Sequence, residues 1–382
     1  MPKNRINILY IIDYLHNWGG TEKHLFYLLR HLDRQKFCCS LLCFDSDRVL
    51  AQVMSQENTQ VYQFRVAKYY TPVALHKAFQ LRKIIKQNKT DIVQSFHYKS
   101  DTYGVSVARR SGVKHIISSR RDIGDTKKMH HKLLNRLMNR YIDKFITACT
   151  AVSEQIIRDE GVPESKITTI YNGVQLDKYT VPDRNLMLRL KQDCAFTKED
   201  FVIGMVANFR PEKNHNIFLS AIKQVAKLIR NLKVILIGDG PTLPHCKDFC
   251  EKNGMKNLVY FTGAVENVRK YIAIMDVACL VPGSNEGFSN AVLEKMAMGK
   301  PMIVTAVGGN SEAVFSGKNG IIIPPFNHRE LANAILYLYK NPRIRIQMGK
   351  ESRARVEQYF TLEKMIEEHQ VFYENLMFGS RC

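Results

Sequence analysis

The sequence predicts an α/β protein made of two doubly wound parallel-sheet domains. Three observations carry this expectation. Thirteen short, β-rich apolar runs recur along the chain, separated by segments of helix length. The runs are continuous rather than alternating, as strands covered on both faces require. The chain has 382 residues, more than one compact core accommodates.

The first series of runs is 6–12, 40–44, 61–65, 91–95, 115–119, 145–152 and 167–171. Run 6–12 has the apolar character of a signal-peptide core. However, Asn7 interrupts it, Asp13 ends it and no small-residue cleavage site follows, so it reads as a first strand. The second series is 201–207, 233–238, 258–262, 276–281, 301–305 and 320–324. The boundary falls after Asn172-Gly173. Segment 174–200 carries Pro182 and mixed charge without a clear strand, and reads as the connector. The end of the chain, 362–378, is helical in pattern.

Composition narrows the class. Apolar content of 45% and charged content of 24% suit a soluble globular protein. No apolar run reaches the roughly 18–20 residues that span a bilayer, so a cytoplasmic protein is expected. Nine cysteines form no C-x-x-C pair; Cys246 and Cys250 beside His245 lack the four paired ligands of a structural zinc site, and reduced core thiols are the reading. The net charge of +20 is uneven: residues 1–172 carry +13 and the remainder +7. A basic first half points to an anionic partner, such as a phospholipid surface, nucleic acid or a phosphorylated substrate.

In doubly wound folds ligands bind beyond the carboxyl ends of the strands. The loops expected there are Trp18-Gly19-Gly20-Thr21-Glu22, Ser95-Phe96-His97, Arg120-Arg121-Asp122, 208–213, Gly238-Asp239-Gly240-Pro241 and 283–290. The last is the most informative. Glu286 sits on the loop beyond a strand, and Glu294 about one turn into the following helix, which Gly299 and Pro301 end. Ser289 is a natural N-cap, leaving the N–H groups of Asn290, Ala291 and Val292 free to face an anion. A phosphate-binding helix start between carboxylates that accept hydrogen bonds from hydroxyls suits a nucleotide-sugar. An ordinary capped helix with two surface glutamates has the same spacing.

Five motifs in order then resemble the retaining glycosyltransferases of family 4, with the GT-B architecture. They are Gly19-Gly20-Thr21-Glu22, Ala151-Val152-Ser153-Glu154, Ile170-Tyr171-Asn172-Gly173-Val174, Ile237-Gly238-Asp239-Gly240-Pro241 and the stretch from Glu286 to Gly299. The resemblance covers nearly the whole chain. It implies two Rossmann-like domains facing across a cleft: 1–173 on the acceptor side and 174–359 on the nucleotide-sugar side. The last helix, from about 360 to 382, would return to the first domain.

The implied reaction moves a hexose or N-acetylhexosamine from a nucleoside diphosphate to a glycan or lipid-linked hydroxyl, with retention. Same-face attack is the expected route, the leaving phosphate taking the acceptor proton. Preorganised positive charge should stabilise the departing diphosphate. The resemblance assigns Lys213 to that diphosphate. The family's arginine five residues earlier is Asn208 here, so Arg210 is expected to assist. Glu286 is assigned to sugar hydroxyls and Glu294 to the ribose, with Gly287, Phe288, Ser289 and Asn290 lining the donor. Gly283 interrupts the family's proline–serine pair, so the loop before Glu286 has its own shape.

Gly19 and Gly20 allow close backbone approach to a phosphate or acceptor. His97 is placed to bond the transferred sugar, and Arg120 and Arg121 to bind donor phosphate or an anionic acceptor. The base is expected near Gly263 and Val265, through backbone contacts, with UDP favoured over GDP. No cofactor and no catalytic metal are expected. Asp45-Ser46-Asp47 follows the second strand of the wrong domain for a metal motif, and Gly238-Asp239-Gly240 lacks the third glycine of a dinucleotide fingerprint.

Segment 127–145 reads as a two-faced helix. Leu133, Leu134, Leu137, Met138, Tyr141, Ile142 and Phe145 form one stripe; Lys128, Lys132, Arg136, Arg140 and Lys144 form another. Basic amphipathic helices lie on anionic membranes, so peripheral contact with the inner face of the cytoplasmic membrane is expected. Packing of the apolar stripe on the sheet is the alternative. Two other functions fit less well: a sugar-nucleotide epimerase of similar fold, which does not need the paired glutamates and Gly19-Gly20 together, and a basic nucleic-acid-binding protein, for which no reader motif is recognisable.

Overall fold

The computed structural model describes residues 5–16, 19–46, 52–54, 59–66, 71–124, 129–180 and 182–379. The chain divides into two compact units, 1–172 with 363–382, and 173–362. Each is built on one parallel sheet.

The first sheet comprises β1 (Ile6–Ile12), β2 (Phe37–Cys43), β3 (Gln60–Gln63), β4 (Ile92–Phe96), β5 (His115–Arg120), β6 (Lys144–Thr147) and β7 (Ile167–Thr169). Its order is β3-β2-β1-β4-β5-β6-β7, so the winding reverses between β1 and β4. β2 starts three residues before the expected run because Phe37 pairs with Ile6. One face is filled by a core that includes Leu9, Ile11, Leu42, Val93, Ile116 and Phe145.

The helix Leu362–Phe378 returns to this unit. Tyr373, fully buried, donates its hydroxyl to Gln94 Oε1 at 2.6 Å. Asp33 N–H donates to Gln370 Oε1 at 2.8 Å, and Lys36 Nζ pairs with Glu374 at 2.9 Å. His24 and His369 are buried side by side, with ring centroids 5.0 Å apart. Burial, then nearby positive charge, holds His24 well below its ordinary value. Burial pushes His369 down to about 4.

This gives a pH prediction. Such groups bind protons in the unfolded chain before the folded one, so stability rises with pH across the window between the two pKa values. Conversely it falls as pH drops from about 6.5, the unfolded value, toward 4. The urea midpoint should fall over that interval, with a shallower slope in His369→Leu, which lacks one such group. An unchanged slope in that variant contradicts the assignment.

Two sequence expectations need correction here. The run 145–152 is not one strand: β6 ends at Thr147 and the helix Thr150–Glu160 begins after the extended Cys149. Val152 is apolar because it is buried on that helix. Nor is 127–145 one helix. Residues 127 and 128 lie outside the described residues, the helix is Met129–Met138, and a 3₁₀ turn, Asn139–Tyr141, precedes β6. The expected stripe divides accordingly. Ile142 and Phe145 join the core, while Leu133 and Leu137 are 59% and 52% exposed. Asn135 and Asn139 point inward instead, donating to the Glu160 carboxylate at 2.9 and 3.3 Å.

The second sheet comprises β8 (Phe201–Val206), β9 (Leu232–Ile237), β10 (Val259–Gly263), β11 (Val277–Leu280), β12 (Met302–Thr305) and β13 (Gly320–Ile323). Its order is β10-β9-β8-β11-β12-β13, reversing between β8 and β11. The stretch expected to be a connector contains the helix Arg184–Asp193, capped by the Asp183 carboxylate on the Leu186 N–H. Among the described residues no helix is long and apolar enough to cross a membrane.

Candidate functional site

The reversal of strand order marks where loops diverge and leave a crevice. In the second unit it lies between β8 and β11, so the loops after those two strands border it. Both carry the residues that the sequence singled out.

After β8 the chain passes through 207–210 into a 3₁₀ turn, Pro211–Lys213, and the helix His215–Val225. Phe209, fully buried, anchors this loop by stacking on His215 with centroids 3.9 Å apart. Its N–H donates to the Asp239 carbonyl at 2.9 Å, and its carbonyl accepts from Thr242. The Gly238-Asp239-Gly240 loop lies so close that a Cβ at either glycine would collide with the carbonyl of Ala207 or Phe209. Both glycines also have positive φ, so this motif fixes the path to Lys213 by steric necessity.

After β11 the chain turns through Asn285, at φ +52°, to Glu286. Gly283 N–H donates to the Glu212 carbonyl at 2.9 Å, tying the two loops together. Glu286, 7% exposed, then meets Lys213: Nζ and Oε2 are 2.6 Å apart. Residues 73 positions apart in sequence thus form one charge-assisted contact. Arg210 is exposed on the same loop, and its guanidinium has no ion-pair partner among the described residues.

The helix Asn290–Ala297 follows, with Ser289 at its N-cap. The Ser289 side chain makes no capping bond, contrary to the expectation. Its carbonyl instead accepts the N–H groups of Val292 at 3.1 Å and Leu293 at 3.3 Å. Val292 is therefore not a free donor, and the open amides reduce to Asn290 and Ala291. Phe288, 4% exposed, packs against Phe360 at 5.2 Å, and Gly287 accepts from Gly309 N–H at 2.8 Å. Glu294, 7% exposed, is on the helix one turn in. At the sheet edge, Gly263 has φ +68° with open space where a Cβ would stand, and half-buried Val265 follows. Gly263 also accepts from Gly238 N–H at 3.0 Å.

The remaining expected residues belong to the first unit. Gly19 caps the helix Gly20–His31, and the Glu22 carboxylate fills the space a Gly19 side chain would need. Trp18 lies outside the described residues. His97 follows β4 at φ +74° and stacks on Tyr14 with centroids 4.9 Å apart. Beside it, Asp13 accepts from Lys99 N–H at 2.8 Å and from Ser100 N–H at 2.7 Å. Burial pushes Asp13 up from the usual carboxylate range, opposed by these bonds and by His97. Of the Asp-x-Asp triplet, Asp45 lies 3.5 Å from His16 Nε2, and Asp47 is outside the described residues.

Arg120 points into a buried ion-pair cluster. It is 5% exposed, with Nη1 2.7 Å from Asp101 and Nη2 3.0 Å from Glu160. Burial opposes its charge, but Asp101, Glu160 and Asp122 outweigh that and hold it above its ordinary value. Arg121 is bonded to Asn172, and burial pushes it down to about 10.

Several residues escaped the sequence reading. Lys295 is fully buried, donates to the Cys279 carbonyl at 3.2 Å, and is pushed down to about 8 by burial. A charge between Val292 and Met296, on the apolar face of a short helix, was its signal. Gly308 has φ +56°, and a Cβ there would collide with the Glu286 carbonyl; the Gly308-Gly309 pair after a strand was legible. Asn214, at φ +53°, is buried with its Nδ2 unpartnered among the described residues.

The profile of Glycosyltransferase Family 4 matches residues 18–178, and that of Glycosyl transferases group 1 matches 188–355. The chain is 26% identical over 231 residues to N-acetyl-alpha-D-glucosaminyl L-malate synthase of Bacillus anthracis, covering 60% of this chain and 59% of that one. It is 24% identical over 359 residues to UDP-Gal:alpha-D-GlcNAc-diphosphoundecaprenol alpha-1,3-galactosyltransferase of Escherichia coli, covering 91% of each. Among solved structures, HepE of Anabaena in complex with UDP superposes with a TM-score of 0.86 at 20% identity, over 97% of this chain and all of that one.

Proposed function

Because the chain belongs to glycosyltransferase family 4, the retaining hexosyltransferases that use nucleotide sugars, we propose that it moves a hexose or N-acetylhexosamine from UDP to a hydroxyl of a glycan or lipid-linked acceptor in cell-surface polysaccharide or glycolipid synthesis. The observation that carries the reading is the Lys213–Glu286 contact at the strand-order reversal, beside the start of the helix Asn290–Ala297. The E. coli relative is named for a UDP-galactose donor and a diphosphoundecaprenol-linked acceptor, and HepE was solved with UDP. Those names support UDP and a lipid-linked acceptor here.

Without ligand, Glu286 holds the Lys213 ammonium. An arriving diphosphate competes for that cation and releases the carboxylate to accept sugar hydroxyls. Lys213 and Arg210 then stabilise the charge that grows on the departing diphosphate, aided by the amides of Asn290 and Ala291 at the positive end of their helix. Gly287, Phe288 and Ser289 form the wall of this turn. Glu294 takes the ribose, and the backbone at Gly263 and Val265 takes the base. In the first unit, His97 is assigned to a sugar hydroxyl, and the Gly19-Gly20 backbone to phosphate or acceptor. A panel of UDP- and GDP-sugars, scored for binding and slow hydrolysis without acceptor, tests the reading; failure of every donor to bind overturns it.

In this scheme protein cations and amides neutralise the diphosphate, so turnover should persist in excess EDTA. Loss of activity restored by Mn²⁺ would contradict that. Peripheral attachment to the inner face of the cytoplasmic membrane is proposed for Leu133 and Leu137, flanked by exposed Arg136 and Arg140. Salt-sensitive sedimentation with anionic vesicles is expected; none at low salt argues against it.

A further inference from the structure

Phe326 stands on the loop after β13 in a conformation that ill suits it. Its φ is +60°, a region where a bulky side chain is strained and glycine is at ease. The side chain is 61% exposed, so folding recovers little of that cost through burial. Strain retained without a packing return is a mark of a functional position.

Its surroundings say which function. The Phe326 ring lies against Gly283, where any Cβ would collide both with the ring and with the Asn214 amide. Gly283 bonds to Glu212, the neighbour of Lys213, and stands three residues before Glu286. The ring therefore borders the turn that presents the Lys213–Glu286 pair, although β12 separates β13 from β11 in the sheet. The strand order supplies a direction. The base is assigned to the β10 edge and the diphosphate to the helix start after β11. A donor laid along the carboxyl ends of the strands then extends its sugar toward β12 and β13, where Phe326 waits. An aromatic face is electron-rich, and the C–H face of a pyranose is its natural partner.

We propose that Phe326 is a specificity-determining platform on which the transferred sugar stacks. The proposal rests on the donor-site reading above and adds a residue to it. The sugar's apolar face packs on the ring while Glu286 binds hydroxyls, so sugars differing in which face is free of axial hydroxyls are discriminated.

The test compares wild type, Phe326→Gly and Phe326→Tyr by thermal denaturation and by titration with UDP and a panel of UDP-hexoses and UDP-N-acetylhexosamines. Phe326→Gly should raise the melting temperature by relieving strain. It should bind UDP as wild type does, and bind the preferred UDP-sugar about 3- to 10-fold more weakly, the range one aromatic contact supplies. Phe326→Tyr should keep the preference. Equal loss for UDP and UDP-sugar, or an unchanged sugar preference in Phe326→Gly, overturns the platform while leaving the donor site standing. Wild type that binds no UDP compound overturns both.

Discussion

Replacing Lys213 by alanine should lower kcat by about 100- to 1000-fold, the loss that accompanies removal of one preorganised group facing transition-state charge. Additional negative charge develops on the leaving diphosphate only as its bond to the sugar breaks. Lys213 is held at the end of a loop whose path Phe209, Gly238 and Gly240 fix, so its ammonium needs no reorganisation at that moment. Because the group acts mainly in the transition state, KM for the donor should change far less than kcat. Folding should weaken too, by about 1–3 kcal/mol, since Glu286 loses its partner while 7% exposed. Donor hydrolysis and transfer rates of the folded variant are the check. Turnover within a few-fold of wild type contradicts the role.

Replacing Arg120 by methionine should destabilise the first unit by about 3–5 kcal/mol, the usual result of removing one partner from a buried ion pair. Asp101 and Glu160 would both be left uncompensated at 1% and 5% exposure. Asp101 retains hydroxyl bonds from Ser95 and Ser118, each at 2.7 Å, and Glu160 retains amide N–H bonds from Asn135 and Asn139. These soften the loss without replacing the cation. Denaturant unfolding measures it. A midpoint close to wild type, together with weakened donor or acceptor binding, would return Arg120 to the ligand-binding role that the sequence suggested.

Arg120 also shows where sequence reading stops. An Arg-Arg pair beyond a strand looks like an anion site, because nothing local reveals that Asp101 and Glu160, distant in sequence, converge on it. The central strands were legible because burial on both faces demands unbroken apolar runs, as in Ile6–Ile12 and Leu232–Ile237, whereas the edge strands β3 and β7 are only partly buried. Their ends were less so. The run past Phe145 crosses from strand to helix within Thr147-Ala148-Cys149-Thr150, where small and polar residues suit either state and the extended Cys149 marks the break. The stripe after Leu133 failed for the opposite reason: polar Asn135 and Asn139 turn inward there, while Leu133 and Leu137 are left exposed.

At the candidate site, composition and spacing pointed to Glu286, Glu294 and the helix start. The partnership of Glu286 with Lys213 depends on the strand order β8-β11, which no local motif encodes. Phe326 escaped because nothing in its residue type signals positive φ, and Asn214 because asparagine signals it only weakly; both become visible once the backbone is known.

The decisive measurement is a structure of the protein with a UDP-sugar bound. The diphosphate should lie within hydrogen-bonding distance of Lys213 Nζ and the Asn290 and Ala291 amides, with the 2.6 Å contact between Lys213 and Glu286 broken and Glu286 turned to the sugar. A diphosphate bound away from these groups, with the Lys213–Glu286 pair intact, would contradict the proposed donor site.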